Sequence, residues 1–208
     1  LRVTLAAEPA DAQIRYTLDG AEPTPASPLC TAPLRIDRSG LLRVRAFRDG
    51  YAPSLTVEQQ ISVLSSSENG LTCRYYEGDW SQLPDFDALK PVRELRAWDF
   101  SLAPVIRREE NFSVVFDGFL RIDCPGLYTF YTRSDDGSRL WIDGRLVVDN
   151  DGLHGAREAQ GKIELAPGRH ALRVGFLEKG GQELLQVSFE GPELLKQPLP
   201  PSLLYYKR

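Results

Sequence analysis

Two aspartates stand side by side at positions 135 and 136, followed by Gly137, between two runs of alternating apolar and polar residues. Adjacent carboxylates are hard oxygen donors, and calcium takes about six to eight such ligands. A pair on one turn tip suits a cation better than general acid–base work, because the two carboxyls of a glycosidase stand about 5–9.5 Å apart across a bond. The same residues also have a conformational reading. An Asp carboxylate accepts hydrogen bonds from the amides that follow it, so Asp-Asp-Gly can serve as a hairpin tip alone. A second acidic group reads more simply. Asp143 precedes Gly144 as a hairpin residue. Asp149-Asn150-Asp151-Gly152 lacks the further ligand positions and distal glutamate of a calcium loop, which predicts a solvated turn. His154 and His170 stand apart from each other and from every cysteine, which predicts structural histidines. The Gly-x-Ser-x-Gly, Walker A and His-Glu-x-x-His patterns are absent. The chain is therefore expected to be non-catalytic.

The elements that must hold the aspartate pair lie between Leu127 and Asp149. Tyr128, Phe130 and Thr132 share one face, and Leu140 with Ile142, then Leu146 with Val148, repeat that period of two. This predicts three consecutive strands, a meander with tight turns at Asp135-Asp136-Gly137 and Asp143-Gly144. Further strands are predicted at 72–76, at 111–116 and 119–122 with a turn at Asp117-Gly118, and at 161–165, 170–177 and 184–190. Around Pro84 and Pro91 the alternation is lost, and 82–98 predicts one or two short helical turns. Residues 150–160 predict a long polar loop. Upstream, Ile14, Tyr16 and Leu18 share a face, and Leu42, Val44 and Ala46 alternate with Arg43 and Arg45. Short strands with turn signals between them predict a small β-sandwich over 1–66. The polar run Ser65-Ser66-Ser67-Glu68-Asn69-Gly70 reads as a linker, giving domains at 1–66 and 71–208 with 67–70 between them. No segment reads as an amphipathic helix. The fold class is all-β: a small immunoglobulin/fibronectin-like β-sandwich followed by an antiparallel β-barrel or sandwich.

The segment GLYTFYTRSDDGSRLWIDGRLVVDN resembles the PA14 domain, a β-barrel module of bacterial glycosidases, yeast adhesins and toxins. GLTCRYYEGDW and FSVVFDGFLRI upstream continue the resemblance, as do LAPGRHALRVGFLEKGG, LLQVSFEGP and PLPPSLLYY downstream, over roughly 69–208. A calcium-dependent lectin subset of that family uses paired aspartates, joined by a cis peptide, to hold a metal that holds a sugar. The resemblance thus implies Asp135 and Asp136 as calcium and carbohydrate ligands. Those lectins add an asparagine and carbonyl oxygens from a second loop. The matching loop here, 178–183, has no asparagine, which leaves Gln182, Glu183 or backbone carbonyls for that role. Trp80 is a candidate for stacking on a sugar face, whereas Trp141 is expected to serve in packing. Residues 1–66 resemble the C-terminal β-sandwich of chitobiases and β-hexosaminidases. That resemblance is carried by Tyr16-Thr17-Leu18-Asp19-Gly20, Glu22-Pro23-Thr24, Ser27-Pro28-Leu29, Ala32-Pro33-Leu34 and the VRAF and DGYAPS stretches. It implies an accessory sandwich beside a catalytic barrel.

Together the resemblances imply the carbohydrate-binding tail of a bacterial, extracytoplasmic glycoside hydrolase of β-N-acetylhexosaminidase type. Its expected partners are an N-acetylhexosamine-containing glycan and the parent's catalytic domain. Two alternatives remain open at this point: a scaffold that packs on the catalytic domain, and a protein-binding adhesin module. A net charge of −4 with no basic run argues against nucleic acid and anionic membrane partners. No stretch has the length of a membrane-spanning helix. The chain opens on Leu and contains no Met, so it is expected to be part of a longer protein. Three cysteines do not make a disulfide framework. Cys73 and Cys124, both on apparent strands, leave open one bridge or two free thiols, and Cys30 has no evident partner.

Overall fold

The computed structural model describes residues 1–37, 39–65, 67–192 and 194–207. Ser66 of the expected linker and Arg208 at the end of the expected second domain lie outside them. The chain is all-β and divides into two compact units, Leu1–Ser65 and Ser66–Arg208. No helix among the described residues is long and apolar enough to cross a membrane.

Among the described residues, the first unit has five strands: β1 (Arg2–Val3), β2 (Gln13–Thr17), β3 (Leu34–Arg35), β4 (Gly40–Phe47) and β5 (Val57–Ile61). β1 pairs with β3, and β2, β4 and β5 form an antiparallel sheet in that order. Leu34, Ile36, Leu42 and Ile61 make its small core, with Val3, Tyr16, Leu18, Cys30 and Val44 packed against it. On β4, the side chains of Arg43 and Arg45 are about a quarter to a third exposed, and both pair with Glu22, at 3.8 and 3.4 Å.

Among the described residues, the second unit has eleven strands. They are β6 (Leu71–Glu77), β7 (Arg93–Ala97), β8 (Phe112–Ile122), β9 (Gly126–Asp135), β10 (Ser138–Ile142), β11 (Arg145–Asn150), β12 (Arg157–Leu165), β13 (Gly168–Glu178), β14 (Leu184–Gly191), β15 (Leu194–Pro198) and β16 (Leu204–Tyr205). One sheet runs β11-β10-β13-β8-β6-β7, with β16 also on β8; the other runs β12-β9-β14-β15. Alternating side chains of both sheets fill the space between them. Phe112, Val114, Phe116, Leu120 and Ile122 come from β8; Leu172, Val174 and Phe176 from β13; Tyr128, Phe130, Val187 and Phe189 from the other sheet. Asn69 bridges to Tyr205, and the Gly70 amide donates to the Leu204 carbonyl at 3.0 Å, so the start of this unit is tied to its end.

Several local expectations are corrected. The three strands 127–149 are not a single meander. β10 and β11 form a hairpin whose two turn residues, Asp143 and Gly144, both have positive φ (50° and 76°), as a two-residue type I′ turn requires. β9, however, pairs only with β12 and β14. Asp135-Asp136-Gly137 is therefore a corner that carries the chain from one sheet to the other. Gly137 is not there for a positive φ. A Cβ at this position would lie 2.8 Å from the Asp151 carboxylate and 2.9 Å from the Gly152 amide, so the corner needs a residue without a side chain. Asp117-Gly118 is not a turn either; β8 runs straight through it. There, a Cβ on Gly118 would meet Leu71 at 2.6 Å and the Tyr205 carbonyl at 2.7 Å, where β6 and β16 both approach β8. The expected loop 150–160 is shorter, because β12 starts at Arg157. Within 82–98 one short helical turn is present as expected, the 3-10 turn Phe86–Ala88, and the strand β7 is additional. Cys124 lies outside the strands and is exposed, and Cys30, Cys73 and Cys124 are all free. Cys73 is in the core, where burial pushes its thiol up to about 12.

Candidate functional site

The corner is held from below by a buried polar network. Thr132 and Ser134 on β9, Ser138 on β10 and Asn150 on β11 are all inaccessible or nearly so. Ser134 and Ser138 hydroxyls lie 2.7 Å apart, Ser138 donates to Thr132 at 2.9 Å, and the Asn150 amide donates to Ser134 at 3.0 Å. Arg157 Nε closes the chain of contacts by donating to Asn150 Oδ1 at 2.8 Å. The expected solvated turn at 149–152 is thus overturned. Asp149 and Asn150 end a strand, Asn150 is buried, and the Asp151 side chain accepts from the Leu83 amide at 2.9 Å. Replacing Asn150 with Ala would remove one partner from the buried Ser134 hydroxyl and one from the Arg157 guanidinium. We expect that substitution to cost roughly 2–3 kcal/mol in denaturant unfolding.

Above this network, Asp136 is itself buried and ties three segments together. Its Oδ1 accepts from the His154 amide at 2.9 Å, and its Oδ2 from the amides of Lys179 at 2.9 Å and Gly180 at 3.4 Å. The Asp135–Asp136 peptide is cis. Asp135 is half-buried and faces the 180–183 loop, where a Cβ on Gly181 would lie 3.5 Å from its Oδ1. Gln182 and Glu183 are exposed on that same loop. The structure therefore brings Asp135, Asp136 and the 182–183 loop together at one end of the second unit. Trp80 belongs to a neighbouring loop: Asp79 pairs with Lys179, while the Trp80 ring lies against Gly78 and packs beside Tyr76, Phe86 and Val115. His154 and His170 are structural, as expected. His154 bridges the Asn150 and Gly155 carbonyls, and His170 joins Asp143 to the Ala166 carbonyl.

No motif of the sequence singles out Glu178. It continues the inward alternation of Leu172, Val174 and Phe176 on β13, a signal that was visible in the sequence. The residue is fully buried, and neither carboxyl oxygen has a hydrogen-bond partner among the described residues. Burial, reinforced by the charges of Asp136, Asp135 and Glu183, pushes its carboxyl from an ordinary 4.5 up to about 8. Glu110 adds a further carboxylate, 3.6 Å from a Cβ placed on Gly180. The corner is thus an acidic pole whose side-chain donors are all oxygens. Among the described residues, no three His, Cys, Asp or Glu side chains already converge as a metal-holding group.

A model of the PA14 domain family matches residues 67–200, and one of the chitobiase/beta-hexosaminidase C-terminal domain matches residues 1–58. The first covers well over half of the chain, which therefore belongs to the PA14 domain family. Among curated proteins it is similar to a Beta-hexosaminidase of Porphyromonas gingivalis, 29% identical over 158 residues, covering 66% of this chain and 19% of that protein. It is also similar to the Anti-sigma-I factor RsgI3 of Acetivibrio thermocellus, 29% identical over 141 residues, covering 66% of this chain and 21% of that protein. The chain thus spans about a fifth of the length of these relatives. Among solved structures, the PA14 sugar-binding domain of an RTX adhesin superposes with a TM-score of 0.57 at 18% identity, covering 67% of this chain and 99% of that one. At that identity the likeness establishes the fold.

Proposed function

We propose that the chain is a non-catalytic carbohydrate-binding accessory module and that a glycan is held at the 135–136 corner through calcium. The observation that carries this reading is the acidic pole itself. Asp135 and Asp136 sit beside the loop that carries Gln182 and Glu183, and the charges of Asp136, Asp135 and Glu183 act on the buried carboxyl of Glu178. An oxygen-only donor set of this kind fits a hard cation. Asp135 and Asp136 would hold the ion, with Gln182, Glu183 and loop carbonyls available for further positions. Calcium, when bound, supplies open coordination positions that vicinal sugar hydroxyls can fill. The chain's own part is to fix the corner rigidly, through the Asp136 bonds to three amides and the network around Asn150. The match to a Beta-hexosaminidase supports a glycoside hydrolase parent of that type, acting outside the cytoplasm of a bacterium on an N-acetylhexosamine-containing glycan. The similarity to an Anti-sigma-I factor favours a second reading for the parent, in which the same module serves a regulatory protein.

Thermal melting in millimolar calcium and in chelator tests the site. A ligand that binds only the folded state at a hundredfold excess over Kd adds about 2.7 kcal/mol. We expect calcium to raise the melting temperature, Asp135→Asn and Asp136→Asn each to abolish the rise, and retention on an N-acetylglucosamine resin to require calcium. Superimposed melting curves would remove the metal from the mechanism. Retention that survives chelator would move the sugar to another surface.

A further inference from the structure

A second concave surface lies on the outer face of the larger sheet. Where the 79–89 segment covers this face, Trp80, Leu83 and Phe86 pack on Tyr76 and Val115. Beyond that cover the sheet is open, and a cavity of about 490 Å³ remains, lined by Leu83, Phe86, Phe119, Arg139, Trp141 and Arg173 among others. That volume falls within the roughly 300–1,000 Å³ of small-molecule sites. Register places Trp141 opposite Arg173 and Arg173 opposite Asp117, so an aromatic ring, a guanidinium and a carboxylate form one row across three strands. Trp141, expected to be packing, is instead half-buried and lines the cavity.

Both guanidinium groups are held in place. Arg139 Nε donates to Asp149 at 2.9 Å, and its Nη1 lies 3.2 Å from Asp151. Arg173 makes a two-pronged contact with Asp87, at 2.9 and 3.0 Å, and donates through Nε to Asp117 at 2.7 Å. These pairs leave no large uncompensated charge, and Asp85 and Lys207, of opposite sign, also line the cavity. An anion or cation gains little from such a lining. A neutral polyhydroxylated ligand suits it, because hydroxyls both donate to the carboxylates and accept from the guanidinium groups, while an apolar sugar face covers the indole. Fixed side chains also reduce the ordering cost of binding.

We propose that this cavity is a second carbohydrate subsite, which takes a short neutral saccharide on Trp141 between Arg139 and Arg173 and needs no metal ion. It goes beyond the calcium corner and stands or falls separately from it. The test is calorimetric titration of the protein in chelator with N-acetylchitotetraose and, separately, with cellotetraose. At least one is expected to bind in chelator, with Trp141→Ala weakening it tenfold or more. Trp141→Phe, which keeps an aromatic face, should retain most of the affinity. In the folded wild-type protein, the Trp141 indole N–H resonance, assigned by its loss in Trp141→Phe, should shift on titration whatever the stability of the alanine variant. Absence of binding by both probes in chelator overturns the proposal. So does unchanged affinity in Trp141→Ala, or an indole resonance that does not move.

Discussion

Replacing Glu178 with Gln is expected to stabilise the protein, by roughly 3–5 kcal/mol above pH 8. The carboxyl lies on the inward face at the end of β13, fully buried and without a hydrogen-bond partner among the described residues. Its charged form is disfavoured first by burial and then by Asp136, Asp135 and Glu183, so the folded protein keeps the proton up to about pH 8. The unfolded chain releases it near the ordinary 4.5. Between these values unfolding sheds a proton, and stability falls as pH rises. The contribution of Glu178 is therefore present in full below about 4.5 and lost as the pH rises through about 8. A glutamine of the same shape has no such dependence. Guanidinium unfolding in chelator at about pH 5, 7 and 8.5 should show the wild type losing stability across the range and Glu178→Gln gaining on it steadily. Parallel curves for the two proteins would mean that Glu178 reaches solvent or a partner in the folded state.

The second large effect has a sign opposite to that expected from local propensity. Gly161 lies inside β12, where Ala would ordinarily be better by about 0.5–1 kcal/mol. A Cβ on Gly161, however, would sit 1.6 Å from the Val147 carbonyl oxygen. This is the point where the edge of one sheet, β12, meets the edge of the other, β11. Both clashing partners are main chain, so no rotamer change relieves the contact and the two edges must part. Gly161→Ala should destabilise by roughly 3 kcal/mol, the upper range of core overpacking. Gly155→Ala, where a Cβ would meet nothing within 4 Å, serves as the neutral control. An unchanged or raised unfolding midpoint for Gly161→Ala would mean that β11 and β12 do not approach this closely.

Both residues show where reading along the chain runs out. A period of two located most strands correctly, because burial on one face leaves its mark on every second residue whatever the strand pairs with. The β10–β11 turn was equally legible, since Asp143-Gly144 is selected by its own dihedral angles. The glycines at 118, 137 and 161 carry no such local signature. Their reason is another part of the chain: the Leu71 side chain and Tyr205 carbonyl at Gly118, the Asp151 carboxylate and Gly152 backbone at Gly137, the Val147 carbonyl at Gly161. Along the chain alone Gly118 and Gly137 consequently signal turns, and β8 divides in two.

The candidate site divides in the same way. The sequence by itself determined that the chain is all-β, that Asp135 and Asp136 share one tip, and that loop 178–183 faces them by family resemblance. The first two follow from residue type and from spacing along the chain, and the third only from the resemblance. Only the tertiary structure decided that the tip is a corner between two sheets, that Asp136 is held by amides of two other loops, and that Asn150 is buried beneath it. It likewise placed Trp141 in an open cavity beside Arg139 and Arg173. Those facts depend on which strands become neighbours. Neighbours are chosen by packing of the whole core, and a residue's own type carries little trace of what lies across from it.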